Sequence, residues 1–173
     1  MTGHHIMGRI SQDEYFMGIA HMVSRRSTCV RRQVGCIVLN NAYHIVATGY
    51  NGVPRGIRHC IDHPCDGASY PSGQGLDKCQ AIHAEANALL QTPNILQVAM
   101  IYCTSKPCIH CLKLIMNSTC SEVVYDQDYP LDLAGLEPKF KMRQFKSNFE
   151  RLFNDLDSPY EPPKSFQVER DRI

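Results

Sequence analysis

The sequence predicts a single α/β domain built as a three-layer α/β/α sandwich around a mixed central β-sheet. Three observations carry this expectation. The chain has 173 residues, enough for one domain with a full core. Segments with helical spacing alternate with short apolar runs in the order α-β-β-α-β-α-β. The first two runs flank a turn and read as a hairpin, whereas the later strands are separated by helical stretches.

Each element has its own signal. Ser11-Gln12-Asp13-Glu14 is a capping box, and Phe16, Ile19, Ala20 and Val23 follow it with helical spacing. Val34 to Leu39 and Ile45 to Thr48 read as buried strands around an Asn40-Asn41 turn. From Gly49 to about Asp77 the chain is rich in Gly, Pro, His and Cys and has no periodicity, and so long a structureless segment in a compact domain is functional or metal-bound. A helix over Ile82 to Gln91 follows, then a strand over Val98 to Thr104, a helix whose first turn holds Pro107, and a strand over Glu122 to Tyr125. Met142, Phe145, Phe149, Leu152 and Leu156 have the spacing of a last amphipathic helix. The domain therefore runs over 11–156, with a loop over 52–80 as a zinc-binding insertion. The polar segment 157–173, with Pro159, Pro162 and Pro163, is a tail.

The chemistry is concentrated in two short segments, His83-Ala84-Glu85 and Pro107-Cys108-Ile109-His110-Cys111. Together they offer zinc one imidazole and two thiolates, His83, Cys108 and Cys111, which leaves a fourth tetrahedral position for water. Two thiolates cancel the charge of Zn2+ and weaken it as an acidifier of water, so a nearby base is needed. Glu85, two residues after the histidine, can take that proton and deliver it later. Cys108 and Cys111 stand at i and i+3 near a helix N-terminus, where the dipole favours thiolate; His83 and Glu85 require a second helix start facing the first. His-x-Glu followed by Pro-Cys-x-x-Cys is the signature of zinc nucleobase deaminases.

Composition narrows the class. A net charge of +1 gives no bulk attraction for nucleic acid. There is no apolar run of membrane length and no secretory leader. Nine cysteines without such a leader point to metal ligation in a reducing, cytoplasmic compartment.

From about Tyr15 to Tyr129 the chain resembles the cytidine deaminase-like superfamily, and within it the deoxycytidylate (dCMP) deaminases, including bacterial and phage forms. The segments that carry the resemblance are Arg26-Ser27-Thr28-Cys29, Val34-Gly35, Gly49-Tyr50-Asn51-Gly52, His59-Cys60, His83-Ala84-Glu85-Ala86-Asn87-Ala88 and Pro107-Cys108-Ile109-His110-Cys111. The resemblance implies the cytidine deaminase-like fold and hydrolysis of dCMP to dUMP and ammonia, supplying dUMP for thymidylate synthesis. It implies that Asn51 contacts the nucleoside. Ala84 and Arg26 are further candidate substrate-binding positions, and Tyr125, at a strand end, either stacks on the base or closes the core. The resemblance also implies a hexamer activated by dCTP with Mg2+ and inhibited by dTTP. The regulatory nucleotide site would lie at Gly49, Tyr50, Asn51 and Gly52. If the chain is phage-encoded, its compartment is the host cytoplasm.

Cys29, Cys60, Cys65 and Cys79 form a second group. Four converging thiolates make a closed, structural zinc site, and the resemblance implies these positions as its ligands, with His59 and His63 as substitutes; buried free thiols are the alternative. Cys36 and Cys103 read as core, and Cys120 has no evident partner. Arg25, Arg26, Arg31, Arg32, Arg55 and Arg58 are candidates for phosphate, Arg26 first because it belongs to a family segment. Lys106 is unusual so near the zinc motif, and Gln91-Thr92-Pro93-Asn94 stands where some relatives place a phosphate-contacting arginine. Competing readings are a deaminase of another cytosine nucleotide or nucleoside, or of tRNA adenosine, and a non-catalytic zinc module for assembly or DNA uptake.

Overall fold

Helix α1 (Gln12–Ser24) begins at its capping box: Ser11 Oγ accepts from the Glu14 amide at 3.2 Å, and Glu14 Oε2 accepts from the Ser11 amide at 2.8 Å. The computed structural model describes residues 10–71, 74–133 and 135–148. After α1 come β1 (Gly35–Leu39), β2 (Ile45–Tyr50), α2 (Ala84–Gln91), β3 (Met100–Ser105), α3 (Ile109–Met116), β4 (Glu122–Gln127) and β5 (Lys141–Gln144).

The five strands lie in the order β2-β1-β3-β4-β5. β1 is antiparallel to both β2 and β3, while β3, β4 and β5 are parallel, so the sheet is mixed. The β1–β2 turn is closed by the Asn40 side chain, whose oxygen accepts from the Ala42 and His44 amides at 3.0 Å each.

Period-two alternation splits β1 between two cores. Ile37 and Leu39 join Tyr102 and Val124 against Phe16, Met17 and Ala20 of α1. Cys36 and Val38 join Ile101, Cys103 and Val123 against Ala84, Ala88 and Leu89 of α2 and Leu112 and Ile115 of α3. The layers are thus α1, the sheet, and α2 with α3. Cys36 and Cys103 are cross-strand neighbours with no exposure, as a core reading requires. Cys120 does find a partner, the Glu122 carbonyl at 3.3 Å.

Two glycines let helix backbone touch strand backbone. A Cβ on Gly35 would lie 2.0 Å from the Ala20 carbonyl oxygen of α1, and one on Gly49 would lie 2.2 Å from the Ala84 oxygen of α2.

The last predicted helix is corrected at its start. Met142 lies within β5 and Phe145 directly after it. Met142 packs against one core and Phe145 against the other, which a strand achieves by alternation. β5 is held at the sheet edge by charge: Arg143 makes a two-pronged pair with Asp13 at 2.7 and 2.8 Å and a further bond to Glu122 at 2.7 Å. Phe149, Leu152, Leu156 and the 157–173 tail lie outside the described residues.

Candidate active site

Both halves of the zinc motif sit at helix starts. His83 is the N-cap residue of α2, with Glu85 in its first turn, and Cys108 is the N-cap residue of α3, with Cys111 in its first turn. Pro107 precedes the cap rather than filling the first helical position, and it is fully buried there. The starts face each other, so that His83 Nδ1 lies 3.4 Å from Cys108 Sγ and 3.5 Å from Cys111 Sγ. A tetrahedral zinc, with bonds of about 2.0–2.1 Å to nitrogen and 2.3 Å to sulfur, sets nitrogen–sulfur separations of about 3.5 Å. The donor set therefore fits zinc in both spacing and chemistry. Among the described residues it is the one group of three such side chains with all its donor atoms within 4.8 Å of one another.

Electrostatics follow from burial and contact. Cys108 is lowered to about 3 by the hydrogen bond from the Cys111 thiol and by its bond to the His83 ring, whereas Cys111 is pushed up by sharing that same proton. The bond to Cys108 also holds the His83 imidazole above its ordinary value. Glu85 is 4% exposed, and loss of solvent raises its carboxyl. A carboxyl whose neutral form is accessible can both receive and return a proton.

A cleft opens over this group, and His83, Ala84, Glu85 and Cys108 line it. Its walls come from four segments: Arg31, Arg32 and Val34 before β1, Asn51 after β2, Leu76, Cys79 and Ala81 from the long loop, and Ser105, Lys106 and Tyr129 at or just beyond the ends of β3 and β4. Ligands of open α/β sheets bind beyond the carboxyl ends of parallel strands, and that rule marks Ser105, Lys106 and Tyr129.

The other family segments buckle this wall together. Ser27 Oγ donates to the Asn51 carbonyl at 2.9 Å, joining the Arg26–Cys29 segment to the Gly49–Gly52 loop. The Asn51 side chain accepts from the Val34 amide and donates to the Arg32 carbonyl, both at 2.8 Å. Each end of that amide retains one further bond for a ligand. Gly52 and Ile82 form an isolated antiparallel bridge, and Asn87 Nδ2 donates to the Tyr50 carbonyl at 2.8 Å, so the same loop holds the start of α2.

Arg26 is exposed and is not among the residues lining the cleft, where Arg31, Arg32 and Lys106 stand instead. Tyr125 is half-buried, with the Lys106 ammonium 5.4 Å from its ring centroid.

The second cysteine group is only partly assembled: among Cys29, Cys60, Cys65 and Cys79 no three sulfur atoms lie within 4.8 Å of one another. Cys60 Sγ lies 3.8 Å from Cys65 Sγ. Cys65 is held below its ordinary value by the Gln80 backbone and by bonds to Cys60 and Cys79. The Ile61 amide bonds to the Thr28 carbonyl at 3.1 Å, which brings the Cys60 loop beside Cys29. Cys29 and Cys79 also line the cleft.

A second cavity lies on the far side of the Gly52–Ile82 bridge, lined by Tyr50, Gly52, Arg55, His59 and Asn87 among others. Thr28 borders it, and Thr28 Oγ1 is the one buried side-chain oxygen or nitrogen among the described residues without a hydrogen-bond partner.

Comparison with known proteins agrees with this geometry. Residues 10–127 match the family described as the cytidine and deoxycytidylate deaminase zinc-binding region. The deoxycytidylate deaminase of Saccharomyces cerevisiae is 36% identical over 153 residues, which are 87% of this chain and 47% of the yeast protein. That of Mycobacterium phage D29 is 41% identical over 130 residues, 70% of this chain and 99% of the phage protein. The dCMP deaminase of cyanophage S-TIM5, crystallised with dCMP and dUMP, superposes with a TM-score of 0.60 at 27% identity, over 79% of this chain and all of its own. The chain thus spans just under half of the yeast relative and nearly the whole of the phage one.

Proposed function

The chain belongs to the cytidine and deoxycytidylate deaminase family, and from that premise we propose that it hydrolyses dCMP to dUMP and ammonia. The observation that carries the reading is the facing pair of helix starts, which sets His83, Cys108 and Cys111 at zinc-ligand spacing beside the buried carboxyl of Glu85. Zinc, which His83, Cys108 and Cys111 would hold, would supply the Lewis acidity that makes water a nucleophile near neutral pH. Glu85 accepts the proton that water loses as its oxygen bonds to C4 of cytosine, and passes it to ring nitrogen N3. Glu85 then takes the remaining proton of the new C4 hydroxyl and delivers it to the amino group, so that the C4–N4 bond breaks, ammonia leaves and C4 becomes the carbonyl of dUMP. Burial supports both halves of this cycle by bringing the neutral carboxyl within reach. Asn51 and Ala84 line the cleft where the nucleoside would lie.

Three finer readings accompany it. Cys29, Cys60, Cys65 and Cys79 hold a structural zinc that organises the long loop, a reading supported by the contacts among Cys60, Cys65 and Cys79. Nucleotide regulation, by dCTP with Mg2+ as activator and dTTP as inhibitor, acts through the second cavity, which Tyr50 and Gly52 line together with Arg55. The protein assembles as a hexamer and works in the cytoplasm. No helix among the described residues is long and apolar enough to cross a membrane.

The test is ammonia release from dCMP, CMP, dCTP and deoxycytidine, each with and without dCTP–Mg2+. Rapid conversion of dCMP, increased by dCTP, is the expected result. Activity confined to another substrate discards dCMP, and silence on all four moves the reading to a polymeric substrate or a non-catalytic zinc protein.

A further inference from the structure

A nucleoside monophosphate brings close to two negative charges into the cleft, and hydrogen-bonded cations are the groups that hold them. Three cationic side chains other than the His83 imidazole line it, Arg31, Arg32 and Lys106. Arg31 is committed elsewhere: its Nη1 donates to the Tyr70, Pro71 and Gln74 carbonyls at 2.8–3.3 Å, tethering the long loop.

Arg32 and Lys106 are placed differently, because both converge on three consecutive residues at the end of β4, Gln127, Asp128 and Tyr129. Arg32 Nη2 donates to Gln127 Oε1 at 3.0 Å, and its guanidinium carbon lies 5.6 Å from the centroid of the Tyr129 ring. Neither contact cancels its charge. The Lys106 amide donates to the Gln127 carbonyl at 2.9 Å, and its Nζ pairs with Asp128 Oδ1 at 3.0 Å. Asn51 fixes the Arg32 backbone from the other side. Two half-buried cations thus share one short segment at the outer part of the cleft, while the buried Glu85 stands at its floor. Lys106 is only two residues from Cys108, which keeps this pair within a nucleotide's reach of the reacting end. The carboxylate paired with Lys106, Asp128, is 68% exposed and free to swing into solvent.

We propose that Arg32 and Lys106 clamp the 5′-phosphate of the substrate, and that Asp128 is a stand-in anion which the phosphate displaces from Lys106. This rests on the deaminase reading given above. The clamp makes the phosphate a determinant of selectivity: the nucleoside, lacking it, leaves Lys106 paired with Asp128 and gives Arg32 no phosphate to hold.

The test compares zinc-loaded wild type with Lys106→Met, Arg32→Gln, Lys106→Arg and Asp128→Asn. Two quantities are read: the ratio of kcat/KM for dCMP to that for deoxycytidine, and calorimetric affinity for dUMP. Loss of one charge-assisted hydrogen bond lowers both by about 10–100-fold in Lys106→Met and in Arg32→Gln. Lys106→Arg restores most of the loss, which shows that charge and not folding is read. Asp128→Asn tightens dUMP several-fold, because the competing anion is gone. Wild-type ratios and affinities in both Lys106→Met and Arg32→Gln overturn the clamp, and weaker dUMP binding in Asp128→Asn overturns the displacement. A wild-type protein inert on dCMP refutes the deaminase reading instead; the dUMP affinities still decide the clamp, since equal values across the series reject it.

Discussion

Gly49→Ala tests how the two halves of the zinc site are held in register. A Cβ at this position lies 2.2 Å from the Ala84 carbonyl oxygen, 2.4 Å from the Ala88 nitrogen and 2.9 Å from the Ala88 Cα. Ordinary contact begins at 3.4 Å, so the worst shortfall is 3.4 − 2.2 = 1.2 Å. All three neighbours are backbone of α2, which cannot rotate aside as a side chain would. β2 is fixed in its ladder with β1, in which Gly49 pairs with Cys36, so α2 is the element that gives way. Its retreat moves His83 and Glu85, whereas Cys108 and Cys111 stay with α3. The spacings of 3.4 and 3.5 Å that suit zinc then open. Alanine in place of a strand glycine is otherwise favourable by about 0.5–1 kcal/mol, so a loss of stability reports the collision. Overpacking of this kind costs about 1–3 kcal/mol, and a displacement near 1 Å at reacting groups costs roughly 10²-fold in rate. Zinc content, melting temperature and kcat for dCMP are the readouts, and all three should fall together. Full zinc occupancy with wild-type kcat would show that α2 is not positioned through Gly49.

Other residues give independent tests. Glu85→Gln keeps zinc and fold and lowers turnover by about 10²–10⁴-fold, measured by ammonia release beside metal analysis; near-normal turnover removes the proton shuttle. Cys60→Ser lowers the melting temperature and the zinc content from two ions towards one per chain, and unchanged metal content rejects the four-cysteine site. Asp13 is held below its ordinary value of 3.8 by its bonds from Arg143. A depressed carboxyl stabilises the fold above its unfolded value, and that share is lost as pH falls through the folded value. Asp13→Asn therefore loses roughly 1–3 kcal/mol at pH 7, and its deficit narrows below pH 3.8. Urea titrations at pH 7 and pH 3 measure this, and a deficit that does not change with pH refutes it.

Features written in local sequence were readable in advance. The Ser11–Glu14 capping box needs residues only three apart, and it stands as expected. The paired motifs around His83 and Cys108 demanded two facing helix starts, and the fold supplies them. What failed depended on distant partners. Met142 and Phe145 are three apart, a spacing shared by one helix face and by the two faces of a strand. The choice was settled by pairing with β4 and by the Arg143–Asp13 contact across the sequence. Pro107 suits the first turn of a helix, but Cys108 itself takes the cap position, so the proline falls one place earlier. Among the arginines before β1 the sequence favours Arg26, whereas the cleft is lined by Arg31 and Arg32, which differ in what the folded chain sets beside them.

The bridge between Gly52 and Ile82 has one more consequence. Both residues line the second cavity, and the next residue along the chain, His83, lines the first. A lining residue of the second cavity, Ile82, is therefore joined by one peptide bond to a lining residue of the first, His83. An occupant that favours one setting of Ile82 biases the imidazole by covalent adjacency. Linkage requires the reverse with equal free energy, so a filled cleft alters affinity in the second cavity by the same factor. The exchange would pass through two backbone hydrogen bonds between Gly52 and Ile82, of 2.8 and 3.1 Å.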